Sequence, residues 1–234
     1  AVCGCMMEQE RVAERIKASF PFVNIVFGTH VIHRLPEMMY TAVTDSKRVF
    51  LRGHESKEII EGLPVRRDGN TRAWVTVMYG CDNFCTYCII PFARGPVRSL
   101  PLEEAARQTE QLARQGYREV VLTGIEISSW GQDLPGEESL IDLLEAVSAA
   151  AGAMRVRLGS LEPRTITEEF CRRASALKNL CPHFHLSLQS GCDATLRRMN
   201  RRYDTARFTE SACLLHRFFP DCALTTDLLS LIHI

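Results

Sequence analysis

No run of eighteen apolar residues occurs in this sequence, so nothing in it reads as a helix able to cross a bilayer. Its first residues, AVCGCMMEQE, carry neither a basic segment nor an apolar core ahead of a cleavage site, and no secretory leader is legible there. Net charge is also missing: 28 Lys and Arg balance 28 Asp and Glu, which removes any whole-chain electrostatic argument for a nucleic-acid partner. Ten cysteines in 234 residues fall far short of the density of a small secreted disulfide scaffold. There is no initiator methionine, and a cysteine-bearing apolar stretch stands at the first positions, as expected of a chain that starts partway through a domain. These absences lead us to expect a soluble, cytoplasmic monomer, with 46% hydrophobic residues enough to bury a core.

Helical composition and charge pairs mark EQERVAERIKAS (8–19), which Pro21 stops before the apolar run FVNIVFG (22–28). From about 44 to 72 the sequence turns polar, with Asp45, Gly53, Gly62, Pro64, Asp68 and Gly69, as a linker would. A strand and helix alternation then sets in. Strands are predicted over 73–79, 118–124, 154–162, 183–190 and 221–229, and helices over 101–115, 139–151, 165–177, 193–200 and 204–217. Repeated β-α units imply a parallel sheet with right-handed crossovers, open or an incomplete barrel, whose chemistry lies at the C-terminal strand ends.

At the end of the first of those strands stands GCDNFCTYCII, with Cys81, Cys85 and Cys88 in the pattern C-x3-C-x2-C. Thiolates are soft ligands, suited in a reducing compartment to zinc or an iron-sulfur cluster. Structural zinc sites usually pair two C-x2-C knuckles, and no second knuckle follows. His30 and His33, at H-x2-H, precede the cysteines and read as fold or surface residues. Three cysteines would leave one iron of a 4Fe-4S cluster open to a ligand that is not protein. Arg94 and Arg98 follow the cysteines, and Arg197, Arg198, Arg201, Arg202 and Arg207 form a second basic group that reads equally well as a solvated helix face.

The cysteine pattern, with the aromatic Tyr87 before the last Cys, resembles the radical S-adenosylmethionine (SAM) superfamily. More closely, GCMMEQE (4–10), VFGTHVIHRLPE (26–37), AWVTVMYGCDNFCTYCIIPFARGPVRS (73–99), VVLTGIEISSWG (120–131), LGSLEPR (158–164) and HFHLSLQSGCDATLRRMNRRY (183–203) resemble, in order and spacing, the radical SAM methylthiotransferases. That resemblance implies a fragment of a tRNA methylthiotransferase: an incomplete radical-SAM β/α barrel with parallel strands, after the remnant of a small α/β domain. In this family SAM chelates the open iron, and its reductive cleavage yields a 5′-deoxyadenosyl radical. A methylthio group then goes onto C2 of the adenosine 3′ of the anticodon. The partners implied are the tRNA anticodon stem-loop and an electron donor such as flavodoxin. Segments up to Cys88 look like the isopentenyl-adenosine branch, and later ones like the threonylcarbamoyl-adenosine branch.

Carried over to this chain, the resemblance makes Cys81, Cys85 and Cys88 the ligands of the SAM-binding 4Fe-4S cluster. It places Tyr87, Gly124, Glu126, Glu162, Gln189, Ser190, Arg201 and Arg202 around SAM, with Arg201 or Arg202 pairing its carboxylate. Ordinary packing or hydrogen bonding competes for Tyr87 and the polar positions, and Glu126 stands where relatives often have Asn or His. Cys5 resembles one of three ligands of an auxiliary 4Fe-4S cluster, a second cluster expected only in a full-length parent. The expected parts are 1–45, the remnant auxiliary-cluster domain; 46–72, a linker; 73–229, the radical SAM core; and 230–234, within a tail, LLSLIHI, unlike the family. Cys171, Cys181, Cys192, Cys213 and Cys222 read as small buried or half-buried hydrophobes. The alternatives are a ribosomal-protein aspartate methylthiotransferase and a non-catalytic zinc-binding module.

Overall fold

The computed structural model describes residues 1–53, 65, 67, 69 and 71–230. Most of the predicted linker beyond Gly53, and residues 231–234 of the predicted tail, lie outside the described residues. The chain divides into two compact units: residues 1–65 with 80–82 and 88–96, and residues 66–79 with 83–87 and 97–234.

The first unit is a parallel three-stranded sheet, β1 (Val2–Cys3), β2 (Ile25–Phe27) and β3 (Val49–Leu51), in the order β1-β2-β3. Helix α1 (Glu10–Ser19) packs Val12, Ala13 and Ile16 onto Met7, Val26 and Phe50. Its C-terminal end is closed by Arg48, whose guanidinium donates to the carbonyls of Lys17 (2.9 Å), Phe20 (3.0 Å) and Val23 (2.9 Å), where a cation also suits the helix dipole. Helix α2 (Leu35–Thr44) and strand β3 escape sequence reading. The helix is short and carries Thr, Tyr and Val, poor helix formers. The strand is three residues long, inside the stretch whose polarity suggested a linker, so that stretch begins no earlier than Arg52.

In the second unit β4 (Arg72–Tyr79) opens the alternation, and after the cysteine loop come α3 (Ile90–Arg94, in the first unit) and β5 (Arg98–Ser99). Then follow α4 (Leu102–Arg114), β6 (Glu119–Gly124), α5 (Leu140–Ala151), β7 (Arg155–Leu158), β8 (Ser160–Leu161), α6 (Glu168–Ser175), β9 (His183–Leu186), α7 (Asp193–Arg198), α8 (Thr205–Phe218) and β10 (Ala223–Thr225). Pro101 is the N-cap of α4 rather than its first residue, and Gly116, at φ +86°, ends it beyond the C-cap.

The parallel order β4-β6-β7 continues as β8-β9-β10, with β5 antiparallel on β4. The predicted strand 154–162 is thus two strands. Gly159 donates to the Leu122 carbonyl at 2.8 Å and leaves β7 on β6 and β8 on β9. A parallel bridge from Val156 to Leu180 keeps the halves joined.

One face of this sheet takes the helices. Val75, Val77, Val120, Leu122, Val156, Phe184 and Leu186 are buried, each contributing about 1.5–3 kcal/mol if fully desolvated. Ala105, Thr109 and Leu112 of α4 and Leu140, Leu143, Leu144, Val147 and Ala151 of α5 present the matching stripes. Many of the alternate positions are polar: Glu119 pairs with Arg72 (2.8 Å), Arg157 (3.3 Å) and Arg155 (3.9 Å), and His183 and His185 share Thr225 Oγ1 at 3.2 and 3.1 Å. A parallel sheet with helices on both faces is apolar on both. Polarity on the second face belongs to a partial β/α barrel, whose interior that face lines.

Helices α5 and α6 are tied by Arg173, which reaches Glu145 (2.8 Å) and Asp142 (2.6 Å). Asp142 also accepts from the Ser139 backbone at 2.7 Å. Partial burial opposes its ionisation, yet the bonds from Ser139 and Arg173 bring the carboxyl down to about 2, from 3.8. A depressed folded value gives stability that is present above pH 3.8 and lost as pH falls through 2. Asp142→Asn is expected to cost about 1 kcal/mol at pH 7, discounted for partial exposure, and only a small fraction of that at pH 2. Urea unfolding at the two pH values checks this.

Candidate functional site

The loop after β4 depends on a glycine. Gly80 has φ +71°, and a Cβ there would lie 1.8 Å from the Pro96 carbonyl oxygen, so no other residue fits. Next to it the Cys81 amide donates to the Gly95 carbonyl at 3.1 Å. Cys81, Cys85 and Cys88 are half-buried thiols outside any disulfide. Cys81 and Cys88 belong to the first unit and Cys85 to the second. Within the first unit, Arg94 of α3 donates from Nε to Cys5 Sγ at 3.0 Å. Glu8, buried in the turn after Cys5, accepts from the amides of His30 (3.4 Å) and Gly53 (3.2 Å). Among the described residues, no three His, Cys, Asp or Glu side chains converge as a single metal ion requires.

Within the second unit, the segment 83–87 is clamped to the turn after α7. The Thr86 amide donates to the Met199 carbonyl (3.1 Å) and its hydroxyl to the Arg198 carbonyl (3.0 Å). The Asn200 side chain donates from Nδ2 to the Phe84 carbonyl at 3.0 Å. Asn200 itself, at φ +59°, occupies the left-handed position that ends α7, a conformation Asn tolerates. Phe84 is also left-handed, at φ +47°, uncommon for a bulky side chain and held by these bonds. Tyr87 packs on Leu196, Met199 and Tyr203.

A buried polar network extends from this clamp. The Glu162 carboxylate, just beyond β8, accepts from Arg201 Nη2 (3.0 Å), Asn83 Nδ2 (3.2 Å) and Arg164 Nη2 (3.1 Å). The hydroxyl of Ser128 accepts from the Glu162 amide at 2.9 Å. Arg201 also donates from Nη1 to Cys85 Sγ (3.2 Å) and from Nε to the Tyr203 oxygen (3.0 Å). Burial pushes the Tyr203 phenol up to about 12, against the pull of Arg201.

Glu126, in the turn after β6, accepts from the Ser128 amide at 3.0 Å and from the Ser129 hydroxyl. Burial pushes its carboxyl up to about 7; the Ser129 bond opposes this and the nearby charge of Glu162 adds to it. Glu126 and Glu162 line a cavity of about 610 Å³ that runs past Arg164 and Thr167 to Arg173.

The structure therefore gathers Glu126, Glu162 and Arg201 in one neighbourhood and gives the other sequence candidates local roles. All three kinds of guanidinium nitrogen of Arg201 already have partners, so it is not an open fork for a carboxylate. Arg202 is exposed. Gly124 permits close packing of β6 on β4, since a Cβ would lie 2.7 Å from Met78 Cγ. Gln189 is left-handed, at φ +67°, and its backbone bonds Asp227 and Leu229. The Ser190 hydroxyl accepts from the Cys192 amide at 3.3 Å. Cys171, Cys181 and Cys222 are buried, the Cys171 thiol pushed up to about 11 by burial. Cys192 and Cys213 are exposed, contrary to expectation, because they lie at the start of α7 and on the outer side of α8. Sequence reading missed Asn83, Ser128, Ser129, Asn200 and Tyr203. Only their proximity to recognised motifs could have signalled them.

Residues 75–233 match the sequence model of the Radical SAM superfamily. Over 98% of its length the chain is 39% identical to tRNA-2-methylthio-N(6)-dimethylallyladenosine synthase of Clostridium tetani (strain Massachusetts / E88), covering 51% of that protein. The like-named protein of Desulforamulus reducens (strain ATCC BAA-1160 / DSM 100696 / MI-1) is 39% identical over 97% of the chain, with 50% of it covered. The chain thus spans about half the length of the curated relatives it matches. Among solved structures, the cobalamin-dependent S-adenosylmethionine radical enzyme OxsB, with aqua-cobalamin and S-adenosylmethionine bound, superposes with a TM-score of 0.55 at 14% identity, covering 67% of this chain and 23% of that one. The radical S-adenosylmethionine methyltransferase TsrM from Kitasatospora setae, with tryptophan substrate and a SAM analogue bound, gives 0.55 at 16% identity, covering 68% and 30%. These likenesses are of fold.

Glu126 provides a pH test of the neighbourhood. Its folded value, about 7, lies above the ordinary 4.5, so the folded state gains relative stability below pH 4.5 and loses it as pH rises through 7. Glu126→Gln cannot ionise. The stability of the native protein relative to this variant is expected to fall by about 2 kcal/mol between pH 4 and 8, read by urea unfolding. A constant difference would contradict the burial of this carboxyl.

Proposed function

The chain belongs to the radical SAM superfamily, and on that premise we propose that it carries the SAM-cleaving part of a tRNA methylthiotransferase. The observation that carries the reading is the C-x3-C-x2-C loop at the C-terminal end of β4, with Cys85 backed by the buried Arg201 and Glu162 pair. Three half-buried thiols on one loop, all soft donors, fit a 4Fe-4S cluster with an open iron. When bound, the cluster and SAM supply the reductive formation of a 5′-deoxyadenosyl radical. Cys81, Cys85 and Cys88 are proposed to hold the cluster, and Gly124, Glu126, Gln189 and Ser190 to face SAM.

The chain's own contribution is position and exclusion of water. The bonds from Thr86 and Asn200 hold the backbone on either side of Cys85, and Tyr87 packs on Leu196, Met199 and Tyr203. With its carboxyl pushed up to about 7, Glu126 is partly ionised near neutral pH, and in the ionised form it would accept a hydrogen bond from the amino group of SAM.

The names of the relatives support an N6-substituted adenosine of tRNA as substrate. An adenine in the anticodon stem-loop is splayed out to reach a barrel mouth, as single-stranded RNA bases commonly are. The N6-dimethylallyl group in those names supports the isopentenyl branch over the threonylcarbamoyl branch, which the motifs after Cys88 resemble. A one-electron donor such as flavodoxin and a cytoplasmic setting complete the reading. We further assign residues 1–45 to the remnant of the auxiliary-cluster domain, where Cys5 would be a ligand only in a full-length parent, and residues 73–229 to the radical SAM core. Among the described residues no helix is long and apolar enough to cross a membrane.

Anaerobic reconstitution of the chain with iron and sulfide, followed by dithionite and SAM, tests the proposal. About four irons per chain and release of 5′-deoxyadenosine are expected, and Cys85→Ala should abolish the release. Undiminished release from Cys85→Ala would overturn the assignment.

A further inference from the structure

We propose that Arg201 is a positioning residue for Cys85: its guanidinium hydrogen-bonds Sγ and sets how readily a metal-sulfur group held there takes up an electron. The inference rests on the reading that Cys85 ligates a cluster. The contact is Nη1 to Sγ at 3.2 Å. It is not an incidental surface contact, because the side chain of Arg201 is only 8% exposed and that of its partner Glu162 only 6%.

The guanidinium is fixed from three directions. Glu162 holds Nη2 at 3.0 Å, the Tyr203 oxygen holds Nε at 3.0 Å, and the Tyr203 ring lies 4.9 Å from the guanidinium carbon. Glu162 is in turn fixed by Asn83 and Arg164. A planar fork can satisfy a carboxylate and a sulfur with separate nitrogens, which an ammonium on a flexible stem cannot.

A positive donor pointed at a ligating sulfur stabilises the electron-rich, reduced state of the group more than the oxidised state. A poorly hydrated setting strengthens the effect. Arg201 is therefore expected to raise the reduction potential. A merely structural ion pair would hold the fold and leave the potential alone.

The test compares the reconstituted native chain with Arg201→Lys and with the double variant Arg201→Met/Glu162→Gln. The lysine variant keeps a cation on Glu162, and the double variant leaves neither charge buried alone, so the fold has two routes to survive; far-ultraviolet circular dichroism checks it. Iron content is measured first, then the midpoint potential by redox titration monitored by electron paramagnetic resonance. The expected result is native iron content with the midpoint displaced to more negative values in both variants. Equal midpoints in a cluster-bearing variant would overturn the inference, as would a folded Arg201→Lys chain unable to take up a cluster, which would make Arg201 an assembly residue. Should the double variant fail to fold, Arg201→Lys decides by the same outcomes. A native chain that takes up no cluster would instead overturn the functional reading on which the inference rests.

Discussion

Glu162 lies at the C-terminal end of β8 with only 6% of its side chain exposed, and an ionised carboxylate in that position is tolerable only if other groups replace the water it has lost. Arg201, Asn83 and Arg164 do so, and each comes from a different part of the second unit: the turn after α7, the cysteine loop and the residues entering α6. Satisfying one buried carboxylate thus joins the strand end to the segment that carries Cys85. The pair is costly as a stabilising device, since well-packed apolar residues would stabilise the fold as well. Its value lies in specifying where one sulfur stands.

The same logic explains the two faces of the sheet. Helices α4, α5 and α6 cover one face with largely apolar side chains, which provides the drive to fold. The other carries Glu119 with Arg72, Arg155 and Arg157, and the two histidines around Thr225. Most of these polar groups are paired with one another, although His183 Nδ1 is buried without a partner. The strand ends, where the backbone turns, carry polar groups such as Glu126, which is proposed to face SAM.

Much of this was legible in the sequence, and the physical reasons for the rest are specific. Alternating strands and amphipathic helices announced the β/α order, and Gly116 marked the end of α4, because hydrophobic periodicity and a left-handed glycine are local signals. Strand β3 was hidden because three residues carry no period, and the division at Gly159 because only pairing partners distinguish β7 from β8. The cysteine pattern drew attention to the loop, since cysteine spacing is written in the chain. The contacts that Arg201 makes were not legible: a carboxylate and a sulfur contributed from 39 and 116 residues away bond to its nitrogens, and no linear pattern encodes such pairing. Asn83 and Asn200 went unnoticed for the same reason.

In the function proposed above, the protein leaves the fourth position on the cluster for SAM. Mössbauer spectroscopy of the chain reconstituted with 57Fe, recorded before and after SAM is added, tests it most directly. The account requires one iron site to separate from the others on adding SAM, as its coordination changes from solvent to amino and carboxylate ligands. A spectrum that SAM leaves unaltered would show the cluster closed to it and would contradict the account.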